Sequence, residues 1–130
     1  MNQWRYTLNR FYLASSLDNV SNVRHATEQM VLAGYIKTYD WTSHGRVQGL
    51  KELKSIAEKE IKGVVDADFL VLLMPAKLGS HVELGVALSL GKPVYLIENG
   101  IEYEEKSFYN LPNVRRYPNI NSLIKELTND

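Results

Sequence analysis

The run Phe69–Met74 (FLVLLM) is apolar at every position. A strand with one wetted face alternates polar and apolar residues. An unbroken run instead suits a central parallel strand covered by helices on both faces. Pro93–Glu98 (PVYLIE) reads as a second buried strand, and Arg10–Ala14 (RFYLA) as a third. Helical spacing lies between them. Apolar residues at Val20, Val23, Met30 and Val31 predict a helix over Val20–Ala33, closed by Gly34 where a C-cap glycine belongs. Leu50–Val65 carries Leu53, Ile56, Ala57, Ile61 and Val64 on one face, and Ser80–Leu90 is a third helix ended by Gly91. Tyr35–Tyr39 reads as a strand, Val114–Tyr117 as a short edge strand and Asn121–Leu127 as a last helix.

Strand–helix alternation over 130 residues predicts one α/β domain over 1–130. The expected form is a flavodoxin-like three-layer sandwich with a five-stranded, mainly parallel sheet in the order 2-1-3-4-5, because right-handed crossovers leave few alternatives. In such sheets ligands bind at the carboxyl ends of the strands, near the switch in strand order. The loops at that edge are Ala14–Asn19, Asp40–Gln48, Pro75–Ser80 and Glu98–Ser107.

Charge and composition narrow the function. Fifteen basic residues balance fifteen acidic ones, so the strong positive field of a nucleic-acid binder is missing. No cysteine is present, which excludes a disulfide framework, a thiolate nucleophile and any Cys-based metal site. No apolar run is long enough to span a bilayer, and MNQWRYTLNRF lacks the apolar core of a secretory signal. A cytoplasmic domain with neither nucleic-acid nor membrane partners is the expectation. GxxxxGK[ST] and GxGxxG are both absent. His25, His44 and His81 are not spaced as a helical metal site, so no metal or cofactor is expected.

Chemistry concentrates in the third loop and the helix after it, where two readings of Glu83 compete. Ser80-x-x-Glu83 matches a capping box, with Ser80 capping and Glu83 reaching back. Alternatively Glu83 faces the cleft, kept ionised by the helix N-terminus and available as a nucleophile. Glu60 falls inside the apolar stripe of the second helix, where a carboxylate needs a partner or a polar cavity. Tyr12 is either a core residue or a phenol that hydrogen-bonds a catalytic carboxylate. Ser15 and Ser16 can cap the first helix or help hold an anion. Asp66 and Asp68 lie at the amino edge of the sheet, so Asp68 reads as structural, serving the helix-to-strand turn. Arg115-Arg116 reads as solvated surface.

Taken together, Phe11-Tyr12-Leu13-Ala14-Ser15-Ser16, Ala67-Asp68-Phe69-Leu70-Val71, Gly79-Ser80-His81-Val82-Glu83-Leu84-Gly85-Val86-Ala87 and Gly91-Lys92-Pro93-Val94 resemble the nucleoside 2-deoxyribosyltransferase superfamily. That group includes the deoxynucleoside-monophosphate N-glycosidases. The resemblance implies cleavage of the bond between a base and a (deoxy)ribose. The glutamate matching Glu83 forms a covalent glycosyl ester, which water or a second base then releases. It matches Tyr12 to a tyrosine that contacts the nucleophile. Glu60 takes the place of a ribose-site aspartate, lengthened by one methylene. Ser16 matches a phosphate-binding serine, and Lys77 stands where another serine is expected. The candidate catalytic residues are therefore Glu83, Tyr12 and Glu60. The candidate substrate contacts are Ser15, Ser16, Asp40, Lys77, Gly79, Ser80 and His81. The expected partner is a small nucleoside or nucleotide. The resemblance also implies a homodimer, with Tyr103–Tyr117 as candidate interface. A non-catalytic nucleotide-sensing module and an NAD-cleaving glycohydrolase are the alternatives on the same fold.

Overall fold

The computed structural model describes residues 9–44, 49–100 and 107–129. Five parallel strands form one sheet in the order β2-β1-β3-β4-β5, as expected. These are β1 (Arg10–Ala14), β2 (Ile36–Lys37), β3 (Phe69–Leu73), β4 (Val94–Ile97) and β5 (Val114–Tyr117). β3 and β4 are buried along their whole length, because helices cover both faces. In register, Tyr12 of β1 lies beside Leu70 of β3, and Leu70 beside Val94 of β4. The helices are α1 (Val20–Leu32), α2 (Leu50–Asp66), α3 (Leu78–Ser89) and α4 (Ile120–Thr128). α1 packs with α4, and α2 with α3. Gly34 (φ 101°) and Gly91 (φ 70°) follow α1 and α3 in the left-handed region that favours glycine. Among the described residues, no helix is long and apolar enough to cross a membrane.

Four departures from the sequence reading bear on the site. β2 has two residues rather than the five of Tyr35–Tyr39. After Thr38 the chain leaves the sheet and enters a 3-10 turn at Trp41–Ser43, capped by Asp40. α3 begins at Leu78 rather than Ser80. Lys77 is its N-cap, and the Ser80 hydroxyl accepts from Lys77 N (2.8 Å) and donates to Lys77 O (2.9 Å). The Ser80–Glu83 capping box therefore does not form, and Glu83 falls in the second turn. The apolar stripe of α2 is only partly covered: Val64 is buried, whereas Leu53 and Ile61 are 43% and 44% exposed. Seventeen helical residues span about 25 Å, against about 17 Å for a five-residue strand, so α2 overhangs the sheet at its N-terminal end. Finally, the Asp68 carboxylate accepts from the backbone N–H of Asn9 and Arg10 (3.0 and 2.9 Å). It ties the entry of β1 to β3 instead of serving its own turn.

Candidate active site

The chain leaves β1 toward the edge strand β2 and returns on the other side at β3. The loops after β1 and β3 consequently part at the carboxyl edge. A cleft of about 480 Å³ opens there. Its walls are of two kinds. Leu17, Trp41, Ala57, Ile61 and Val82 are apolar, while Ser15, Ser16, Asp18, Lys77, Ser80, Glu60 and Glu83 bring polar groups. The overhanging part of α2 supplies Ala57, Glu60 and Ile61, and α3 supplies Gly79, Ser80, Val82 and Glu83.

Glu83 is 7% exposed and accepts a 2.5 Å hydrogen bond from the Tyr12 hydroxyl. Tyr12 has no exposed surface. It reaches the carboxylate because β1 turns this residue toward α2 and α3. Burial, then the Glu83 charge and hydrogen bond, raise the Tyr12 phenol far above its ordinary value, so it stays a donor. The Glu83 carboxyl is pushed up to about 8. Burial is the foremost cause. The Tyr12 hydrogen bond opposes it, and the Glu60 charge and hydrogen bond add to it. The expectation that the helix N-terminus keeps Glu83 ionised is thus overturned, because Glu83 lies beyond the first turn, where that field falls off, and faces a second acid.

Glu60, half-buried, is within hydrogen-bonding reach of Glu83. Burial raises its carboxyl too. The neighbouring Glu83 carboxyl, the His44 charge and the nearby Tyr12 hydroxyl pull the other way. Two carboxyls so close disfavour ionising together, because the charge on either one raises the other.

The serines hold the two parted loops together. Ser15 Oγ donates to Pro75 O (3.3 Å), Ser16 N bonds Pro75 O (3.0 Å), and Asn19 Nδ2 donates to Ser15 Oγ (3.0 Å). Ser16 Oγ accepts from Asp18 N and caps the 3-10 turn Leu17–Asn19. Lys77 Nζ meets Asp18 Oδ2 at 2.5 Å across the cleft mouth.

Of the sequence candidates, Glu83, Glu60, Ser15, Ser16, Lys77, Gly79 and Ser80 line the cleft, and Tyr12 stands behind Glu83. Two are placed elsewhere. His81 bonds Lys77 O through Nδ1 and the Tyr109 hydroxyl through Nε2, both at 2.7 Å, and stacks on that ring. Asp40 accepts from Thr42 N (3.1 Å), Thr42 Oγ1 (2.5 Å) and Lys37 Nζ (3.4 Å). It acts on the site through Trp41, which that turn sets against the cleft and whose Nε1 donates to Leu13 O (2.7 Å). Residues 45–48 and 101–106, parts of two edge loops and of the Tyr103–Tyr117 segment, lie outside the described residues. Within that segment Tyr109 is buried. Among the described residues no group of three His, Asp or Glu side chains is placed to hold a metal ion.

Sequence reading missed Trp41 and Gly63. Asp40-Trp41-Thr42 carries the Asp-x-Thr spacing of a capped turn, a usable signal for Trp41. Gly63 is buried within α2. A Cβ there would come within 2.9 Å of the Tyr12 ring and of Tyr39 Cβ. Nothing local in the sequence marks it.

No family model matches the sequence, and no curated protein matches it. Among solved structures the chain is similar in fold to the Clostridium botulinum CMP N-glycosidase BcmB. The TM-score is 0.56 and the identity 17%, over 91% of this chain and 97% of that one.

Proposed function

We propose that the protein is an N-glycosidase that cleaves the bond between a base and a (deoxy)ribose in a nucleoside or nucleotide, with Glu83 as nucleophile. One observation carries this reading: a buried carboxyl on α3, held by the Tyr12 hydroxyl, stands beside a second carboxyl on α2 in the wall of a cleft of about 480 Å³. The shared fold with a solved CMP N-glycosidase is consistent with it.

A retaining displacement needs one ionised carboxylate and one carboxylic acid. A pair sharing a single proton supplies both. Glu83 passes the shared proton to Glu60, and its freed Oε attacks the anomeric carbon while the C1′–N bond breaks with its electron pair passing to the base nitrogen. Glu60 gives its proton to the leaving base. Water then attacks C1′, Glu60 takes the proton from that water, and the ester electrons return to Glu83. A second base in place of water would make the reaction a transfer. The apolar wall of Trp41, Ala57, Ile61, Leu17 and Val82 suits the flat face of a base. The serine side suits the sugar hydroxyls. Lys77, the one cation among the described lining residues, is already paired with Asp18, so a 5′-phosphate must compete with Asp18 for it.

The test is base release, followed by chromatography, from nucleosides, deoxynucleosides, their 5′-monophosphates and NAD. Wild type is expected to release base from at least one N-glycoside, and Glu83→Ala from none. Calorimetric binding without turnover would support the sensing module instead. Release of nicotinamide alone would identify an NAD glycohydrolase. Turnover in the presence of a second base distinguishes transfer from hydrolysis.

Glu60→Gln yields a further expectation. The variant keeps a polar partner for Glu83 but removes the like charge that raises it. Turnover is expected to fall about 10²-fold through loss of the acid. The acidic limb of the pH–rate profile, which reports ionisation of Glu83, is expected to move to lower pH. A profile unchanged in both height and position would remove Glu60 from the mechanism.

A further inference from the structure

We propose that Lys92 is a positioning residue: it staples the C-terminal ends of α2 and α3 together and thereby sets the spacing of Glu60 and Glu83 in the cleft wall. The inference rests on the reading of these two acids as the working pair. Its support is separate from theirs. Lys92 Nζ donates to the main-chain carbonyls of Val64 (3.0 Å), Val65 (2.5 Å) and Ala67 at the end of α2. An ammonium has three N–H donors, so its hydrogen-bonding capacity is matched by the carbonyls of one helix end. The backbone N of the same residue bonds Ala87 O in the last turn of α3 (3.0 Å), and Asn113 Nδ2 holds Lys92 O from the strand side (2.9 Å). One residue thus joins the two helices that carry the acids.

The positions of the acids give this joint its leverage. Glu60 and Glu83 each stand six residues before the last residue of their helices, about 9 Å along the axis from the stapled ends. They face each other at the same height. α2 is also seated against the Tyr12 ring at Gly63, where no Cβ intervenes, and Thr38 Oγ1 holds Gly63 O at 2.7 Å. Gly63 sets how close α2 lies to β1, and Lys92 sets how close it lies to α3. A helix C-cap with no further consequence would stabilise α2 and leave the carboxyl pair unchanged, because Lys92 touches neither acid.

The experiment follows the side-chain carboxyl carbons of Glu60 and Glu83 by ¹³C NMR titration, assigned with Glu60→Gln and Glu83→Gln. The groups facing the pair are Tyr12 from β1, Tyr39 after β2 and His44 after the Trp41 turn. Asp66, Asp68 and Arg10 lie near Lys92 itself. In Lys92→Met, shown to be folded by circular dichroism, the upper carboxyl titration is expected to move down by about half a unit or more as the pair separates. Base release is expected to fall about tenfold in kcat with KM nearly unchanged. Lys92→Arg, which keeps charge and donors, is expected to restore most of both. Should Lys92→Met not fold, Lys92→Gln, whose amide donates two hydrogen bonds, makes the same comparison. A folded variant whose carboxyl titrations and pH–rate profile superimpose on wild type overturns the proposal and leaves Lys92 a helix cap. If wild type releases no base, the N-glycosidase reading fails, and the titration alone still decides whether Lys92 spaces the pair.

Discussion

Replacing Glu83 with glutamine should abolish base release while making the protein more stable at alkaline pH. Loss of the nucleophile is expected to cost at least about 10³-fold in turnover, since no other group lies against the anomeric carbon in the proposed mechanism. The stability gain has a separate origin. In the folded protein the Glu83 carboxyl is raised from its ordinary value of 4.5 to about 8. Between those values the folded state therefore binds a proton that the unfolded chain releases. Folding stability must then fall as pH rises through that window. Below about 4.5 the penalty is absent, and above about 8 it is complete. Each unit of displacement corresponds to about 1.4 kcal/mol. Because the proton is shared with Glu60, a cost of about 2–4 kcal/mol is the expected scale at pH 8.5. Glutamine keeps an acceptor for the Tyr12 hydroxyl and carries no charge at any pH. Melting curves of wild type and Glu83→Gln should nearly coincide at pH 4.5 and separate progressively to about 5–10 °C at pH 8.5. A gap that does not grow with pH would mean that Glu83 is not buried under electrostatic strain.

Gly63→Ala should disable the site from a position that touches no substrate. An alanine at an ordinary interior helical position stabilises by up to about 1 kcal/mol relative to glycine. Here its methyl would come within 2.9 Å of a Tyr12 ring carbon and of Tyr39 Cβ, and 3.0 Å of a second Tyr12 carbon. Neither neighbour is the free end of a flexible chain. Tyr12 is fully buried and anchored at its hydroxyl by Glu83, and the helix is held by Thr38. Relief requires α2 to lift or the Tyr12 ring to turn, at about 1–3 kcal/mol. Either movement disturbs the Tyr12–Glu83–Glu60 arrangement, and a displacement of about 1 Å can cost about 10²-fold in rate. The expected result is a small net change in melting temperature with turnover reduced about 10–100-fold. Gly85→Ala on α3, where an added Cβ meets nothing within 4 Å, is the control, with stability equal or higher and turnover retained. Equal turnover in both variants would show that the close approach at Gly63 is incidental.

The two predictions differ in how far their residues could be read from the chain alone. Glu83 stood out because it follows the central strand at the edge where ligands bind. Its orientation was undecided, since a capping serine and a catalytic acid predict the same Ser-x-x-Glu spacing. The decision came from where α3 starts. With Lys77 as N-cap, Ser80 is satisfied by the backbone of Lys77, and Glu83 is carried a turn further, against Tyr12. Glu60 was conspicuous as a charge in an apolar stripe, yet that stripe is half uncovered. The acid faces a cleft because α2 is longer than the strands it covers. Gly63 carries no local signature, and the Gly91-Lys92-Pro93 run stands out without pointing to α2. Gly63 acts against Tyr39 and Tyr12, 24 and 51 positions away, and the Lys92 ammonium on Val64 and Ala67, 28 and 25 positions away.

Patterning alone was sufficient for the sheet. Burial on both faces forces continuous apolar strands, and the right-handed crossover rule then leaves few strand orders, so FLVLLM and PVYLIE imply the architecture and the edge at which chemistry belongs. Patterning could not give the state of the acids. The upward shift of Glu60 and Glu83 depends on distance and desolvation between two helices, and those quantities come into existence only when α2 and α3 pack beside Tyr12.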